Sequence, residues 1–211
     1  MGVEITSGKK SMLVKTYDAI VKEYVEHEKQ STWRNTHIDK FLGMLKHRSS
    51  ILDVGCGPGQ DAKAFSDAGH DVTGIDLSEK MIANAMKRAP KAKFLRMDVE
   101  KLDFEMKFDA MWAAFVLVHL ERNKIPPVIR KFHELLKPNG ILFLGMLEGS
   151  GEVVIPEPYN KKYKQYFLFC SKKEVEKWLN DAGFDMLSHS TEEIDEEGEV
   201  FNQSFIYARK K

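Results

Sequence analysis

The chain has 211 residues, of which 32 are basic and 32 are acidic, so its formal net charge is zero. A chain without net charge offers no general attraction to nucleic acid. Its longest apolar run, 110–118, is about half as long as a membrane-spanning helix requires. The length predicts one domain with a well-buried core, and neither nucleic acid nor a membrane is expected as a partner.

The two cysteines, Cys56 and Cys170, lie far apart and form no Cys-x-x-Cys pair. This spacing favours two free thiols in a reducing compartment and gives no indication of structural zinc. The amino terminus shows neither an apolar signal segment nor an Arg-rich presequence. We therefore expect a cytoplasmic protein without a metal ion. A monomer or a homodimer is expected.

The first 48 residues predict two helices, because apolar side chains recur at helical spacing around Tyr17 and again from Trp33. Beyond them, short apolar runs alternate with helical periodicities, which is typical of a parallel sheet with right-handed crossover connections. The predicted strands are 51–54, 71–75, 93–97, 108–112 and 141–146, and the predicted helices begin at Gln60, begin at Ser78 and lie near 125–136.

The turn after the first of these strands carries the most specific motif. Residues 51–60 read Ile-Leu-Asp-Val-Gly-Cys-Gly-Pro-Gly-Gln, a buried strand that leads into a Gly-x-Gly-x-Gly turn and a helix. Such a turn presents backbone N–H groups to a ligand. A dinucleotide fingerprint needs its third glycine where this chain has Gln60, so pyrophosphate is disfavoured. Asp53 adds a carboxylate beside the turn, which favours a ligand with positive charge.

Two further carboxylates follow the next two strands. Asp76 ends the second strand, where a carboxylate can accept hydrogen bonds from both hydroxyls of a ribose. Asp98 ends the third strand, where it can accept from an exocyclic amine. Together with the glycine turn, they indicate a nucleoside with a cationic tail that lacks phosphate. Adenosine joined to a methionine sulfonium meets each of these requirements.

The segment 148–170 follows the fifth strand as a long connection and carries five aromatic residues. Long connections at the carboxyl edge of a parallel sheet are a usual place for ligand binding. We expect this segment to be a loop that covers the substrate, and packing against the edge of the sheet is the alternative.

The pattern changes again after this segment. Ser171 and Glu174 form a capping box for a helix that ends at Gly183. Two strands, 184–191 and 201–209, follow without an intervening helix, which predicts an antiparallel hairpin. The predicted fold class is therefore α/β: a Rossmann-like doubly wound sheet of seven mostly parallel strands, with an antiparallel C-terminal hairpin and N-terminal helices.

These motifs resemble those of the class I S-adenosylmethionine-dependent methyltransferases, from about Tyr17 to the terminal hairpin. The similar stretches are 51–59 (first motif), 74–78 with Met81 (ribose and adenine site), 97–99 (adenine-amine site), 108–114 (fourth strand) and 135–140 (turn before the fifth strand). Asn139 stands where the family often has a glycine, and asparagine also tolerates the left-handed conformation.

The resemblance implies S-adenosylmethionine as the cofactor and a set of residues that bind it. This set is Tyr17, Arg34, Asp53, Gly55, Gly57, Gly59, Asp76, Leu77, Met81, Asp98, Val99, Ala113 and Ala114. A place in the core is the alternative for Tyr17, and a solvated helix charge is the alternative for Arg34.

Fewer residues are indicated as contacts of the methyl acceptor. His119 follows the fourth strand, near where similar proteins place the methyl acceptor, and is a candidate general base, with a packed core histidine as the alternative. Glu148, Tyr166 and Phe167 are the candidate substrate contacts.

The expected function is methyl transfer from S-adenosylmethionine to an unidentified acceptor, which we expect to be a small molecule because the connections added to the core are short. The reaction is an in-line displacement that needs alignment and exclusion of water. The alternatives are a protein that binds the cofactor without catalysis and an NAD-dependent oxidoreductase. The single domain, 1–211, divides into a helical cap (1–48), a cofactor-binding core (49–147), a substrate lid (148–170), and a C-terminal helix and hairpin (171–211).

Overall fold

The computed structural model describes residues 3–28, 33–158, 160–196 and 199–211, so residues 1, 2 and 29–32 of the predicted cap lie outside the described part. The helices are α1 (Val3–Glu28), α2 (Trp33–Leu42), α3 (Gln60–Asp67), α4 (Glu79–Arg88), α5 (Ile125–Leu135) and α6 (Lys172–Asp181). The strands are β1 (Ser50–Val54), β2 (Asp71–Asp76), β3 (Lys93–Arg96), β4 (Phe108–Ala114), β5 (Leu136–Glu148), β6 (Gly151–Glu157), β7 (Asn160–Cys170), β8 (Phe184–Glu196) and β9 (Glu199–Lys210). Across the described ranges, no helix is both long and apolar enough to cross a membrane.

The first five strands form a parallel sheet in the order β3, β2, β1, β4, β5. β9 pairs antiparallel with β5, from Ile141 opposite Arg209 to Glu148 opposite Asn202, and β8 pairs antiparallel with β9. This arrangement confirms the predicted doubly wound sheet and its antiparallel C-terminal pair. It also brings the turns after β1, β2, β3 and β4 to one edge, because parallel strands end on the same side.

The segment 148–170 differs from the predicted loop, because it forms the antiparallel hairpin of β6 and β7 and brings the sheet to nine strands instead of seven. β7 pairs with β5 at Leu147 and Glu148, which also pair with β9. β4 pairs with β5 only as far as Ala114 opposite Gly145, so one side of β5 is free beyond that point. β7 pairs with β5 on that free side. The sequence over 160–166 mixes lysines with scattered tyrosines, so it lacks the apolar alternation by which strands are recognised.

Buried side chains pack on both faces of the sheet. Leu52 and Val54 of β1 face one cluster, which includes α5 and α6, while Ile51 faces a second cluster with α2 and α3. On that second face the rings of Trp112 and Phe143, from paired strands, stack with centroids 3.7 Å apart. The two-sided core holds the strand ends rigidly beneath the turns that follow them.

The turn before the main part of β5 has the conformation that its sequence predicts. Asn139 has a φ of 61°, in the left-handed region. Asparagine adopts this region more readily than other residues that carry a Cβ, which explains its place in a position that the similar family often gives to glycine.

We expect Asn139→Ala to lower the free energy of unfolding by about 1 kcal/mol, because alanine adopts the left-handed region at a cost. Asn139→Gly should stay within about 0.5 kcal/mol of the wild type. Urea unfolding of the three proteins measures this order. Asn180→Ala, in the helical backbone of α6, is the control and should change stability by less than about 0.5 kcal/mol. Equal stability of the alanine and glycine variants at position 139 would contradict the argument.

Candidate active site

A cavity of about 640 Å³ opens at the carboxyl edge of the parallel strands. Residues from the turns after β1, β2, β3 and β4 line it, and α1, the start of α2, the β6–β7 hairpin and the neighbouring parts of β5, β8 and β9 contribute the remaining walls. The volume lies within the range of ligand and cofactor sites. The cavity is therefore at the edge of the sheet where the sequence predicts ligand binding.

The glycine turn after β1 approaches its neighbours closely. The N–H groups of Gly55 and Cys56 both donate to the carbonyl oxygen of Ile75, at 2.8 and 2.9 Å. Gly55 has a φ of 70°, and a Cβ at this position would lie 2.7 Å from Cβ of Val116. Glycine alone satisfies both conditions, so the backbone of the turn lies directly in the cavity wall.

Asp76 connects this turn to the next one. Its Oδ2 accepts a hydrogen bond from the Gly57 N–H at 3.0 Å, and its Oδ1 accepts one from the Ser78 N–H at 2.8 Å. Burial raises the pKa of Asp76 to about 6. A carboxylate has about four acceptor positions, so Asp76 keeps capacity for the hydroxyl donors of a ligand. Its position in the cavity wall fits the predicted ribose site.

The residues predicted around an adenine line the same cavity, and they are Leu77, Met81, Asp98 and Val99. Asp98 has a partner that the sequence did not indicate: its Oδ2 accepts from Nζ of Lys10 on α1, at 2.6 Å. Lys10 also lies 2.7 Å from Glu100, and these two carboxylates raise its pKa against the opposing effect of burial. α1 is thus bound to the turn after β3 by an ion-paired lysine.

Arg34 is buried in the cavity wall, which excludes the alternative of a solvated helix charge. Its Nη1 donates to Oδ1 of Asp61 at 2.5 Å, and the indole N–H of Trp112 donates to Oδ2 of the same carboxylate at 2.8 Å. Asp61 also lines the cavity. Asp61 is not among the residues predicted for the site, although its place in the first turn of α3, directly after the glycine turn, is a usual position for an acidic residue.

Three of the predicted cofactor contacts lie behind the cavity wall: Asp53, Gly59 and Ala113. Asp53 is 1% exposed, its Oδ2 has no hydrogen-bond partner, and burial raises its pKa well above the usual range, with the negative charge of Asp61 adding to the effect. A Cβ at Gly59 would lie 2.8 Å from Cα of Ala85. Gly59 therefore allows α3 and α4 to approach each other.

His119, in the turn after β4, contacts both α1 and β7. Its Nδ1 lies 3.1 Å from the carbonyl oxygen of Tyr166 on β7, and its Nε2 lies 2.8 Å from the hydroxyl of Tyr17 on α1. Since a carbonyl oxygen only accepts, Nδ1 carries the proton, and the Tyr17 hydroxyl donates to Nε2. Burial lowers the pKa of His119 to about 4. The imidazole is therefore neutral at pH 7, and it both packs and lines the cavity.

The three candidate substrate contacts are placed differently. Phe167 lines the cavity, and its ring centroid lies 5.2 Å from that of His119. The neighbouring Tyr166 points away from the cavity, because successive side chains of a strand face opposite sides. Glu148 also lies outside it, and its Oε2 accepts from the hydroxyl groups of Thr191 and Ser204, at 2.5 and 2.9 Å.

Comparison with known proteins agrees with this geometry. Residues 51–140 match the family model described as a methyltransferase domain. The malonyl-[acyl-carrier protein] O-methyltransferase of Pseudescherichia vulneris is 30% identical over 116 residues, which are 53% of this chain and 45% of that protein. The ubiquinone biosynthesis O-methyltransferase of Dechloromonas aromatica is 29% identical over 163 residues, 70% of this chain and 68% of that protein. The chain spans less than half the length of the first malonyl relatives.

Solved structures share the fold. A SAM-dependent methyltransferase from Methanosarcina mazei superposes with a TM-score of 0.73 at 21% identity, over 81% of this chain and 96% of that one. The 1,6-didemethyltoxoflavin-N1-methyltransferase of Burkholderia thailandensis has a TM-score of 0.65 at 21% identity, over 94% and 90% of the two chains. Residues 51–140 thus match a methyltransferase domain, and the chain shares the fold of solved S-adenosylmethionine-dependent methyltransferases, as its motifs predict.

We expect Asp76→Asn to weaken the binding of S-adenosylhomocysteine by about 1.5–3 kcal/mol, because an amide replaces a charged acceptor in a buried site. Calorimetric titration measures the affinity, and thermal unfolding checks that the variant is folded. Asp71→Asn, an exposed position at the start of the same strand, is the control. Unchanged affinity in a folded Asp76 variant would mean that this carboxylate serves only to hold the two turns.

We expect His119 to make stability depend on pH. Its pKa is lower in the folded state, about 4, than in the unfolded state, about 6.5. The stabilisation by neutral His119 is therefore fully present above pH 6.5 and is lost as the pH falls toward 4, by about 2–3 kcal/mol. Urea unfolding between pH 7 and pH 4 should show a steeper decline for the wild type than for His119→Asn, which does not titrate. Parallel pH curves for the two proteins would contradict this expectation.

Proposed function

We propose that this chain transfers a methyl group from S-adenosylmethionine to a small-molecule acceptor. The observation that carries the proposal is one cavity with two distinct parts. The first lies over the turns after β1, β2 and β3 and contains the glycine turn and Asp76. The second lies beyond β4, between the end of β5 and the β6–β7 hairpin, where an acceptor has room beside the cofactor.

The residues of the first part fit the cofactor. Asp76 would accept from the ribose hydroxyls, and Leu77, Met81 and Val99 would contact the adenine. The backbone of Gly55 and Gly57, with Ala114, would face the methionine portion. When bound, S-adenosylmethionine supplies a methyl group already activated by a sulfonium.

The buried pair of Arg34 and Asp61 suits an amino-acid group. A guanidinium can bind a carboxylate and a carboxylate can bind an ammonium, and both side chains line the cavity beside the glycine turn. Trp112 holds Asp61 in place from behind, through its indole N–H. We assign the amino-acid end of the cofactor to this pair.

His119 and Tyr17 belong to the boundary between the two parts. Both ring nitrogens of His119 have partners, and its pKa of about 4 makes the imidazole a weak base. These facts favour a positioning role over general base catalysis. His119 would place the Tyr17 hydroxyl at the cavity surface and attach β7 above it, so that α1 and the hairpin together exclude water from the reacting atoms.

The remaining expectations are part of the same proposal. The segments 1–48, 49–147, 148–170 and 171–211 act as one catalytic domain, with the hairpin in the predicted position of the substrate lid. Cys56 and Cys170 are buried free thiols, which fits a reducing compartment such as the cytoplasm. A monomer or a homodimer is expected.

We expect S-adenosylhomocysteine at 100 times its Kd to add about 2.7 kcal/mol to the free energy of unfolding, while NAD adds none. Thermal unfolding with each ligand measures this. Incubation of the protein and methyl-labelled S-adenosylmethionine with a fractionated metabolite extract should then transfer label to a small-molecule fraction, with heat-denatured protein as the control. Stabilisation by NAD alone would overturn the cofactor assignment. Cofactor binding without any transfer of label would indicate a binding protein instead of an enzyme.

A further inference from the structure

The end of β5 places residues of three strands side by side in the second part of the cavity. Leu147 of β5 pairs with Phe169 of β7 on one side and with Gln203 of β9 on the other. Residues that lie opposite each other in paired strands point to the same face of the sheet, and all three line the cavity. Their side chains therefore form one continuous surface.

Aromatic rings extend this surface along the strands. Phe201 lies two residues before Gln203 on β9, and Phe167 lies two residues before Phe169 on β7, so each has the same orientation as its neighbour. The rings of Phe169 and Phe201 stack with their centroids 6.3 Å apart. All four residues line the cavity. The stacked rings suit a ligand that is itself aromatic, because offset and edge-to-face contacts between rings are favourable.

Phe115, directly after β4, adds a further ring to the same face. It has a φ of 56°, in the left-handed region, which is rare for a bulky residue. Its ring lies against Gly145, where a Cβ would be 3.1 Å from its Cε2, and Gly145 is two residues before Leu147 on β5. Backbone strain of this kind persists at positions that shape ligand sites, and Phe115 lines the cavity.

One polar side chain interrupts this surface, which we call the acceptor wall. Its members are Phe115, Leu147, Phe167, Phe169, Phe201 and Gln203. The Oε1 atom of Gln203 is buried and has no hydrogen-bond partner among the residues that the structure describes. A buried amide oxygen without a donor is destabilising, and such oxygens are normally paired. A ligand that donates a hydrogen bond to this oxygen would remove the cost.

The acceptor wall also favours a ligand without charge. Its six side chains carry no formal charge, so a charged group placed against them would lose hydration without gaining an ion partner there. Two carboxylates lie near the wall in the same cavity. Glu157 interacts with other groups of the chain, and Glu193 lies at the exposed rim. The polar contact that the wall itself offers is the amide of Gln203.

We infer that the methyl acceptor is an uncharged aromatic molecule with a hydroxyl or N–H group that donates a hydrogen bond to Oε1 of Gln203. Its ring lies against the aromatic side chains of the acceptor wall, and Gln203 fixes its orientation relative to the cofactor. The inference rests on the proposed function, since it assigns the acceptor class and a specificity-determining residue of that cavity.

The experiment uses the whole chain saturated with S-adenosylhomocysteine and three uncharged probes of similar size. Indole has an aromatic body and an N–H donor, benzofuran has an oxygen in place of that N–H, and cyclooctanol has a hydroxyl donor without an aromatic ring. Calorimetric titration should show that indole binds at least about fivefold more tightly than either of the others, because each of them lacks one of the two interactions. Equal or tighter binding of benzofuran or cyclooctanol, or no detectable binding of indole, overturns the inference.

Gln203→Met tests the residue, because methionine keeps the length of the side chain and removes the amide oxygen. The variant should bind indole about fivefold more weakly than the wild type and benzofuran with unchanged affinity. Asn202→Met, at the neighbouring exposed position of β9 and outside the cavity lining, is the control and should keep the wild-type preference for indole.

A folded Gln203→Met variant that keeps the preference for indole, or that loses affinity for indole and benzofuran equally, overturns the assignment of Gln203. Thermal unfolding checks that the variant is folded. The comparison of the three probes needs only the wild type, so it tests the acceptor class even if the variant does not fold.

Transfer of label separates this inference from the proposed function. Selective binding of indole without transfer of label from S-adenosylmethionine to any product in the metabolite extract contradicts catalysis and leaves the acceptor class supported. Labelled products found only in fractions that a cation or anion exchanger retains support catalysis and overturn the acceptor class.

Discussion

The tight glycine turn after β1 is the constraint on which the cavity depends. Because Gly55 lies within van der Waals distance of Val116 and binds the carbonyl of Ile75, the turns after three strands are drawn into one surface. Asp76 continues the connection by accepting from the Gly57 N–H. A side chain at Gly55 would collide with Val116 and separate the turns after β1 and β4. The wall of the cavity at these turns is thus formed mainly by backbone atoms that approach each other closely.

The cavity is closed from above by two elements that meet at His119. α1 is attached through Tyr17, through Lys10 to Asp98, and through Asp18, whose carboxylate accepts from the Ser78 hydroxyl at 2.5 Å. β7 is attached through the carbonyl of Tyr166. A neutral imidazole suits this position, because it donates from one nitrogen and accepts at the other. Protonation would remove the acceptor, so closure and the neutral state of His119 depend on each other.

Charge is distributed unevenly in this neutral chain. The exposed surface carries both signs, with pairs such as Lys63 with Asp67 and Lys177 with Asp181 that neutralise each other locally. The lining of the cavity, by contrast, has more acidic than basic side chains. That separation costs electrostatic energy in a partly desolvated site, and ligands with positive charge offset it.

The sequence by itself determined the doubly wound sheet, the glycine turn, the carboxylates Asp76 and Asp98, and the resemblance to methyltransferases, because strand periodicity and short motifs are local properties of the chain. It missed the β6–β7 hairpin, the pairing of Lys10 with Asp98, and the place of Asp61 in the cavity wall, and it did not show that Asp53 and Glu148 lie outside the cavity lining. Whether a side chain lines the cavity depends on which side of its strand faces the cavity. It also depends on contacts between residues far apart in sequence, such as the hydrogen bond between Tyr17 and His119. Only the tertiary packing of α1, the hairpin and β9 around the strand ends decides them.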